Sequence, residues 1–330
     1  MIRIALDVMG GDNAPEANLS GALDALSRSE KICVLLVGQK SVIEPWLVGK
    51  NYDRDRLQII DAPEVIETGE PPVVAIQKKK NSSMVVGLKM LHDGEADAFV
   101  SAGSTGALLV GGQTIAGRLP GIKRAPLAVA LPTKKGRSLL IDCGANVDVR
   151  PEILVQFAIL GSLYAKHIMG IQDPSVGLVN IGTEEEKGNE LTRAAYPMLR
   201  DCDKIRFTGN AEARDIPSGA ADVLVCEAFT GNVVLKMYEG VARTLLGQVK
   251  ESLMKTLRGK IGGLLIKPSL KGLVKTFSSK EDGGAPLLGL RGLVVKAHGN
   301  STDVQIRNAL LQCETFHDSG LKERIQDAFS

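Results

Sequence analysis

This sequence predicts a doubly wound, largely parallel α/β fold, on three observations. Short aliphatic runs alternate with longer helical ones from one end of the chain to the other. Several of those runs are apolar on both faces, as strands covered by helices on each side must be. Gly is abundant, at 36 residues, and it gathers with Ser, Thr, Asn and Asp just after the strand-like runs. In such sheets ligands bind outside the carboxyl ends of the strands.

Strands are expected at Ile2–Val8, Ile32–Val37, Leu57–Ile60, Ala98–Ser101, Leu127–Leu131, Leu139–Asp142, Val176–Ile181, Ile205–Phe207, Val223–Cys226 and Leu293–Ala297. Helices are expected at Pro15–Arg28, Ser82–Leu91, Thr105–Ala116, Pro151–Ile168, Asn189–Leu199, Asn232–Leu257 and Thr302–Phe316. Pro15 has no amide hydrogen to lose in a first turn, and Asn81 is placed to cap the helix that follows it. No internal repeat or linker-like stretch interrupts the pattern, so residues 1–330 are expected to form a single α/β domain.

One segment breaks the rhythm. From Ser252 to Lys280 there are seven basic residues (Lys255, Arg258, Lys260, Lys267, Lys271, Lys275 and Lys280) and no acidic one. Apolar residues, Leu264 and Leu265 among them, are interleaved with the charges, and Gly262, Gly263 and Pro268 interrupt the run. It reads as a basic amphipathic hairpin over residues 240–280, with a turn at the two glycines. Three uses stand open: an anionic membrane surface, an anionic protein, or packing between subunits.

Composition narrows the function. The chain is 44% hydrophobic and 24% charged, as a folded globular protein is. A net charge of +2 gives no footing for nucleic acid as a partner. The five cysteines are odd in number, form no CxxC and make no ligand set with the four histidines, so no metal is expected. Cys33, Cys143 and Cys226 lie in apolar runs and read as small buried hydrophobes. The first strand carries Arg3 and Asp7, unlike a signal peptide. No uncharged apolar stretch reaches the roughly 18 to 20 residues of a spanning helix. The expectation is a cytoplasmic protein that meets a membrane, if at all, from its surface.

The loops after the strands carry the chemistry. Asp7 to Pro15 holds Gly10 and Gly11 between two aspartates, suited either to a ligand or to a tight strand-to-helix turn. Ser101 to Ala107 places Ser104, Thr105 and Gly106 at a helix start, where backbone amides favour an anion; ordinary N-capping is the other reading. The stretch is neither a dinucleotide nor a P-loop fingerprint. Gly144 to Asp148 includes Asn146 and Asp148, and Gly182 to Glu190 includes Thr183, Lys187 and Asn189. Lys187 there is either an anion ligand or a solvated charge. Asn232 opens a long helix, and His298, Asn300 and Ser301 follow the last strand. These loops are rich in amide, hydroxyl and ammonium donors but show no Ser-His-Asp or Cys-His pairing. Such a set suits a ligand that is itself the nucleophile, such as phosphate attacking a carbonyl whose oxyanion needs donors.

Eight stretches, in order along the chain, carry a resemblance. They are DVMGGDNAP (7–15), KNSSM (80–84), SAGSTGA (101–107), DCGANVD (142–148), GTEEEKGNE (182–190), FTGNV (229–233), GGAPLLGL (283–290) and KAHGNS (296–301). Together they resemble the acyl carrier protein:phosphate acyltransferases of bacterial phospholipid synthesis. The resemblance implies the isopropylmalate dehydrogenase/phosphotransacetylase type of fold, a homodimer, and no cofactor. It implies acyl transfer from acyl carrier protein to inorganic phosphate, with the acyl phosphate passing to a membrane glycerol-3-phosphate acyltransferase. Ser104 stands where that family's pattern has Asn, Ala228 where it has Gly, and Phe277–Asp282 lacks its tyrosines.

On that basis phosphate attacks the thioester carbonyl directly. Ser104, Thr105 and Gly106 hold the phosphate, Lys187 neutralises charge, and Thr183 and Asn232 donate to the oxyanion. Asp7, Gly10, Gly11, Asn146, Asp148, Asn189, Asn300 and Ser301 line the pocket. His298 either protonates the leaving thiolate or is structural. Lys255, Arg258, Lys260, Leu264, Leu265, Lys267 and Lys271 would meet a membrane or the carrier protein. His298 and Asp303 share the H-x₄-D spacing of glycerolipid acyltransferases, but the glycine-arginine motif those enzymes need is missing. A phosphotransacetylase using acyl-coenzyme A is the rival enzyme, and a membrane-docked scaffold the rival without catalysis.

Overall fold

The computed structural model describes residues 1–266 and 283–330. In place of one sheet there are two, each mostly parallel. The six-stranded sheet contains β1 (Ile2–Asp7), β2 (Ile32–Gly38), β3 (Leu57–Asp61), β4 (Ala98–Ser101), β10 (Ala285–Leu287) and β11 (Leu293–Lys296), in the order β10-β11-β4-β1-β2-β3. The five-stranded sheet contains β5 (Ala128–Thr133), β6 (Gly136–Ile141), β7 (Ser175–Asn180), β8 (Arg206–Glu212) and β9 (Val223–Val225), in the order β5-β6-β9-β7-β8. Each has one antiparallel pair, β10 with β11 and β5 with β6. An isolated bridge from Leu127 to Leu287 joins the two sheets at those pairs.

The apolar pattern explains the layers. β2 is buried at every position, as a parallel strand covered on both faces must be. One face of the first sheet packs on α1 (Glu16–Arg28) and α10 (Asp303–Asp318), which meet so closely that a Cβ at Gly21 would strike Ile306. The other face packs on α4 (Ser83–His92) in a core that continues through Leu127 and Leu140 to Leu224 of the second sheet. That sheet packs on α6 (Pro151–His167), around Leu139, Leu154 and Phe157.

All ten expected strands are present, with ends shifted by a few residues. The differences have local causes. Ser82, not Asn81, caps α4, its hydroxyl accepting from the Val85 amide at 3.3 Å while the Asn81 amide donates to Glu64. α5 (Thr105–Gly111) passes into a wider π-type turn over Gly112–Ala116. α7 (Glu190–Arg200) starts after Asn189 as expected. α8 (Ala228–Met254) starts four residues before Asn232, because the Glu227 carboxylate accepts from the Thr230 amide and caps it there. The short helices α2 (Lys40–Leu47), α3 (Pro72–Lys78) and α11 (Leu321–Ala328) were not expected, nor was edge strand β10, which tolerates Pro286.

The basic segment bends elsewhere than its glycines suggested. α8 ends at Met254, the turn lies at Lys255 and Thr256, and α9 follows over residues 257–266 with Gly262 and Gly263 inside it. The Gly259 amide bonds the Thr256 hydroxyl at 3.0 Å, closing that turn. Lys267, Lys271, Pro268, Lys275 and Lys280 lie outside the described residues.

Gly87 and Gly240 test this packing. A Cβ at Gly87 would enter the ring of Phe99, which is fully buried, whereas one at Gly240 meets nothing within 4 Å. Gly87→Val should therefore lose about 2 kcal/mol by overpacking, while Gly240→Ala should gain up to about 1 kcal/mol from helix propensity. Urea unfolding midpoints read both.

Candidate active site

Strand pairing sets the site. Asp7, Ser101 and Lys296 end three adjacent strands, β1, β4 and β11, and Lys296 stands in register with Ser101. The three loops that follow are drawn together by backbone contact. The Asp12 amide donates to Gly299 O at 2.7 Å, and the Asn13 side chain donates to the carbonyls of Asn300 at 3.2 Å and Ser301 at 3.1 Å. Buried Asn18 ties the first loop down by donating to the carbonyls of Asp7, Val8 and Gly10. Gly10 is required because a Cβ there would strike the Asp7 carboxylate and the Gly103 amide; Gly11 takes φ +105°.

Asp7 is 2% exposed and accepts from the Ser101 hydroxyl at 2.7 Å and the Met9 amide at 3.2 Å. Ser101 in turn accepts from the Gly103 amide at 3.0 Å, so the carboxylate fixes the path of the SAGSTGA loop. Burial pushes the Asp7 carboxyl up, against the bonds from Ser83, Ser101 and Met9 and the charge of Lys296. Lys296 is itself 8% exposed; its ammonium donates to Ala102 O at 3.3 Å and to Ala297 O. Burial pushes its pKa down to about 8, against the attraction of Asp7 and Asp12.

Between the sheets the described residues leave a cleft of about 1000 Å³. Its walls include Thr105, Lys296 and His298 from the first sheet's loops, Leu127–Pro132 and Cys143 from the second, and Asn232, Tyr238 and Glu239 of α8. Three of the residues expected at the site, Thr105, Asn232 and His298, therefore share one cavity. His298 lies 4.0 Å from the Glu239 carboxylate, and Asp303 sits in the first turn of α10. Lys296 was not singled out from sequence. A lysine ending an apolar strand beside two glycine-rich loops was the available signal.

The other expected residues have different positions. Ser104 is 4% exposed and its hydroxyl caps α5, accepting from the Ala107 amide at 3.4 Å. Gly106 abuts Pro72, leaving no room for a side chain. Asn146 braces the fold: its side-chain amide donates to Ala125 O at 3.0 Å and to Asp142 at 2.7 Å. Asp142 is fully buried and also accepts from the amides of Leu127, Gly144, Ala145 and Asn146. Burial raises its carboxyl pKa, against those bonds. Asp148 lines a separate cavity with Arg118, Lys123, Arg124 and Arg150. Thr183 and Lys187 are exposed on the loop after β7 and are not part of the cleft wall, while Asn189 is the N-cap of α7, its side chain accepting from the Thr192 amide at 2.9 Å.

The basic helices are exposed over much of their length. Met237, Leu245, Val249, Met254, Leu257, Ile261, Leu264 and Leu265 all face outward, among Lys255, Arg258 and Lys260. No helix among the described residues is long and apolar enough to cross a membrane.

The two sheets and the cleft between them define the fold class of the phosphotransacetylases. A phosphotransacetylase (EutD) from Staphylococcus aureus superposes with a TM-score of 0.59 at 17% identity, over 96% of this chain and 94% of that one. A branched-chain phosphotransacylase from Enterococcus faecalis gives 0.55 at 12% identity, over 96% and 99%. Sequence is more specific. The model of a family described as fatty acid synthesis protein matches residues 2–324. The phosphate acyltransferase of Clostridium tetani is 44% identical over 326 residues, covering 99% of this chain and 97% of its own. That of Clostridium botulinum (strain Loch Maree) is 47% identical over 324 residues, covering 98% and 96%. The chain belongs to this family of acyltransferases.

Asn146→Ala separates a brace from a pocket residue. It removes donors to two buried acceptors and should destabilise the fold by about 1–3 kcal/mol in urea, leaving the Michaelis constants of the folded enzyme within about twofold.

Proposed function

We propose that this chain transfers a long-chain fatty acyl group from acyl carrier protein to inorganic phosphate, giving an acyl phosphate. The observation that supports it best is a cleft furnished with donors and cations but without an activated nucleophile. Cys143 is the thiol on its wall; it donates to Leu140 O, and burial pushes its pKa well up, so it is no thiolate. The attacking atom is then best supplied by the second substrate. A phosphate oxygen adds to the thioester carbonyl, the tetrahedral intermediate collapses, the C–S bond breaks, and the thiolate leaves and takes up a proton. Thr105 orients phosphate and Asn232 donates to the oxyanion. His298, paired with Glu239, is positioned to supply the leaving group's proton.

The same reading makes the protein a homodimer that touches an anionic membrane through the basic, apolar face of α8 and α9. There its product would pass to a membrane glycerol-3-phosphate acyltransferase. Each cation near such a leaflet contributes about 1 kcal/mol.

The test is release of carrier-protein thiol from palmitoyl-acyl carrier protein with and without phosphate. Phosphate-dependent release with formation of acyl phosphate is expected. Release without phosphate means a thioesterase, and turnover of acyl-coenzyme A alone means the phosphotransacetylase reading. Asn232→Ala should lower kcat by about 10²- to 10³-fold, measured in the same assay.

A further inference from the structure

We infer that Lys296, rather than Lys187, holds the negative charge of the phosphate substrate, which would bind between its ammonium and Thr105. This rests on the proposed acyl transfer, which requires an anion in the cleft and a cation to meet it.

Four basic side chains line the cleft, and three of them, Lys135, Arg137 and Lys236, are exposed. Water screens such charges, so each would add little to anion binding. Lys296 differs in being almost fully buried while still reaching the cavity wall. A buried ammonium is costly unless it is neutralised. Its hydrogen bonds here go to two carbonyls, Ala102 O and Ala297 O, which satisfy protons but carry no net charge. Asp7 is already engaged by Ser83, Ser101 and the Met9 amide, and with Asp12 acts on Lys296 through space. The site is thus under-neutralised and suited to a doubly charged oxyanion.

Position completes the argument. The bond to Ala102 O fixes the ammonium on the loop that carries Thr105 three residues later. A tetrahedral oxyanion there would meet an ammonium and a hydroxyl held by one short stretch of chain. Lys187 has no comparable setting. It is exposed on the loop after β7, and that loop contributes nothing to the cleft wall.

Lys296 also makes the affinity pH-dependent. The protonated amine is the binding form, and its pKa in the free enzyme is about 8. Phosphate binding is therefore full below that pH and is lost as pH rises through it. The charged groups facing the amine are Asp7 and Asp12 of the first loop, with His298 and Glu239 on the same cavity wall.

The experiment uses the full chain with inorganic phosphate as the probe. Phosphate should raise the melting temperature of wild type and of Lys187→Ala, through ligand linkage. It should do so weakly or not at all for Lys296→Met and Lys296→Gln, and partly for Lys296→Arg. In turnover, Lys296→Met should raise KM for phosphate by about tenfold or more, with KM for the acyl donor within about twofold. The wild-type KM for phosphate should climb between about pH 7.5 and 9.5, and that climb should vanish in Lys296→Met. Protection of both neutral variants equal to wild type, or a phosphate KM unchanged in a folded variant, overturns the assignment, as does a wild type that phosphate fails to stabilise. Protection that depends on Lys296 without acyl phosphate formation overturns the transfer reaction and leaves the phosphate site standing.

Discussion

The buried carboxylate of Asp7 is the constraint on which the site depends. It ends β1 at the centre of the first sheet, and its acceptor oxygens take the Ser101 hydroxyl, which in turn takes the Gly103 amide. A carboxylate out of water is costly without donors, so the neighbouring loops must fold around it. Gly10 and Gly103 are small because backbone passes directly over that carboxylate. Lys296 on β11 answers its charge from the other side of Ser101. Three sequence-distant loops are thereby held in one geometry before any ligand arrives, which is the preorganisation that electrostatic catalysis requires.

The second sheet uses the same device. Asp142 follows β6 and gathers the amides of Leu127, Gly144, Ala145 and Asn146 around one buried carboxylate. α8 then packs against it so tightly that only glycine fits at 231, where a Cβ would overlap Asp142 O. The cleft therefore lies between two rigid strand-end assemblies, one per sheet, with Asn232 delivered by a helix that the second assembly fixes in place. Removing either aspartate would disturb the cleft without touching the substrate.

A different logic governs α8 beyond its first turns. Its outward apolar residues find no partner among the described residues, and Lys255, Arg258 and Lys260 flank them without a carboxylate from the same stretch. A face of this kind is stable in water only if something covers it. In the proposed function that cover is a second subunit or an anionic bilayer.

The alternation of strands and helices was legible in the sequence because apolar period and glycine punctuation are local signals. All ten expected strands are found, and short, polar or edge elements such as α2 and β10 escaped because their local signal is weak. The loops at the strand ends were legible for the same reason. What they do was not. Ser104 as cap, Asn146 as brace and Asp148 in a separate cavity look alike in sequence to ligand-binding residues, since all are small polar residues beside glycine. Lys296 reads in sequence as the last residue of an apolar strand. Its place beside Ser101 and Asp7 comes from parallel pairing across about two hundred residues of chain, and its lowered pKa from the burial that pairing imposes. Which polar groups are satisfied by the fold and which are left for a ligand is a matter of three-dimensional hydrogen-bond accounting, and only the tertiary structure decides it.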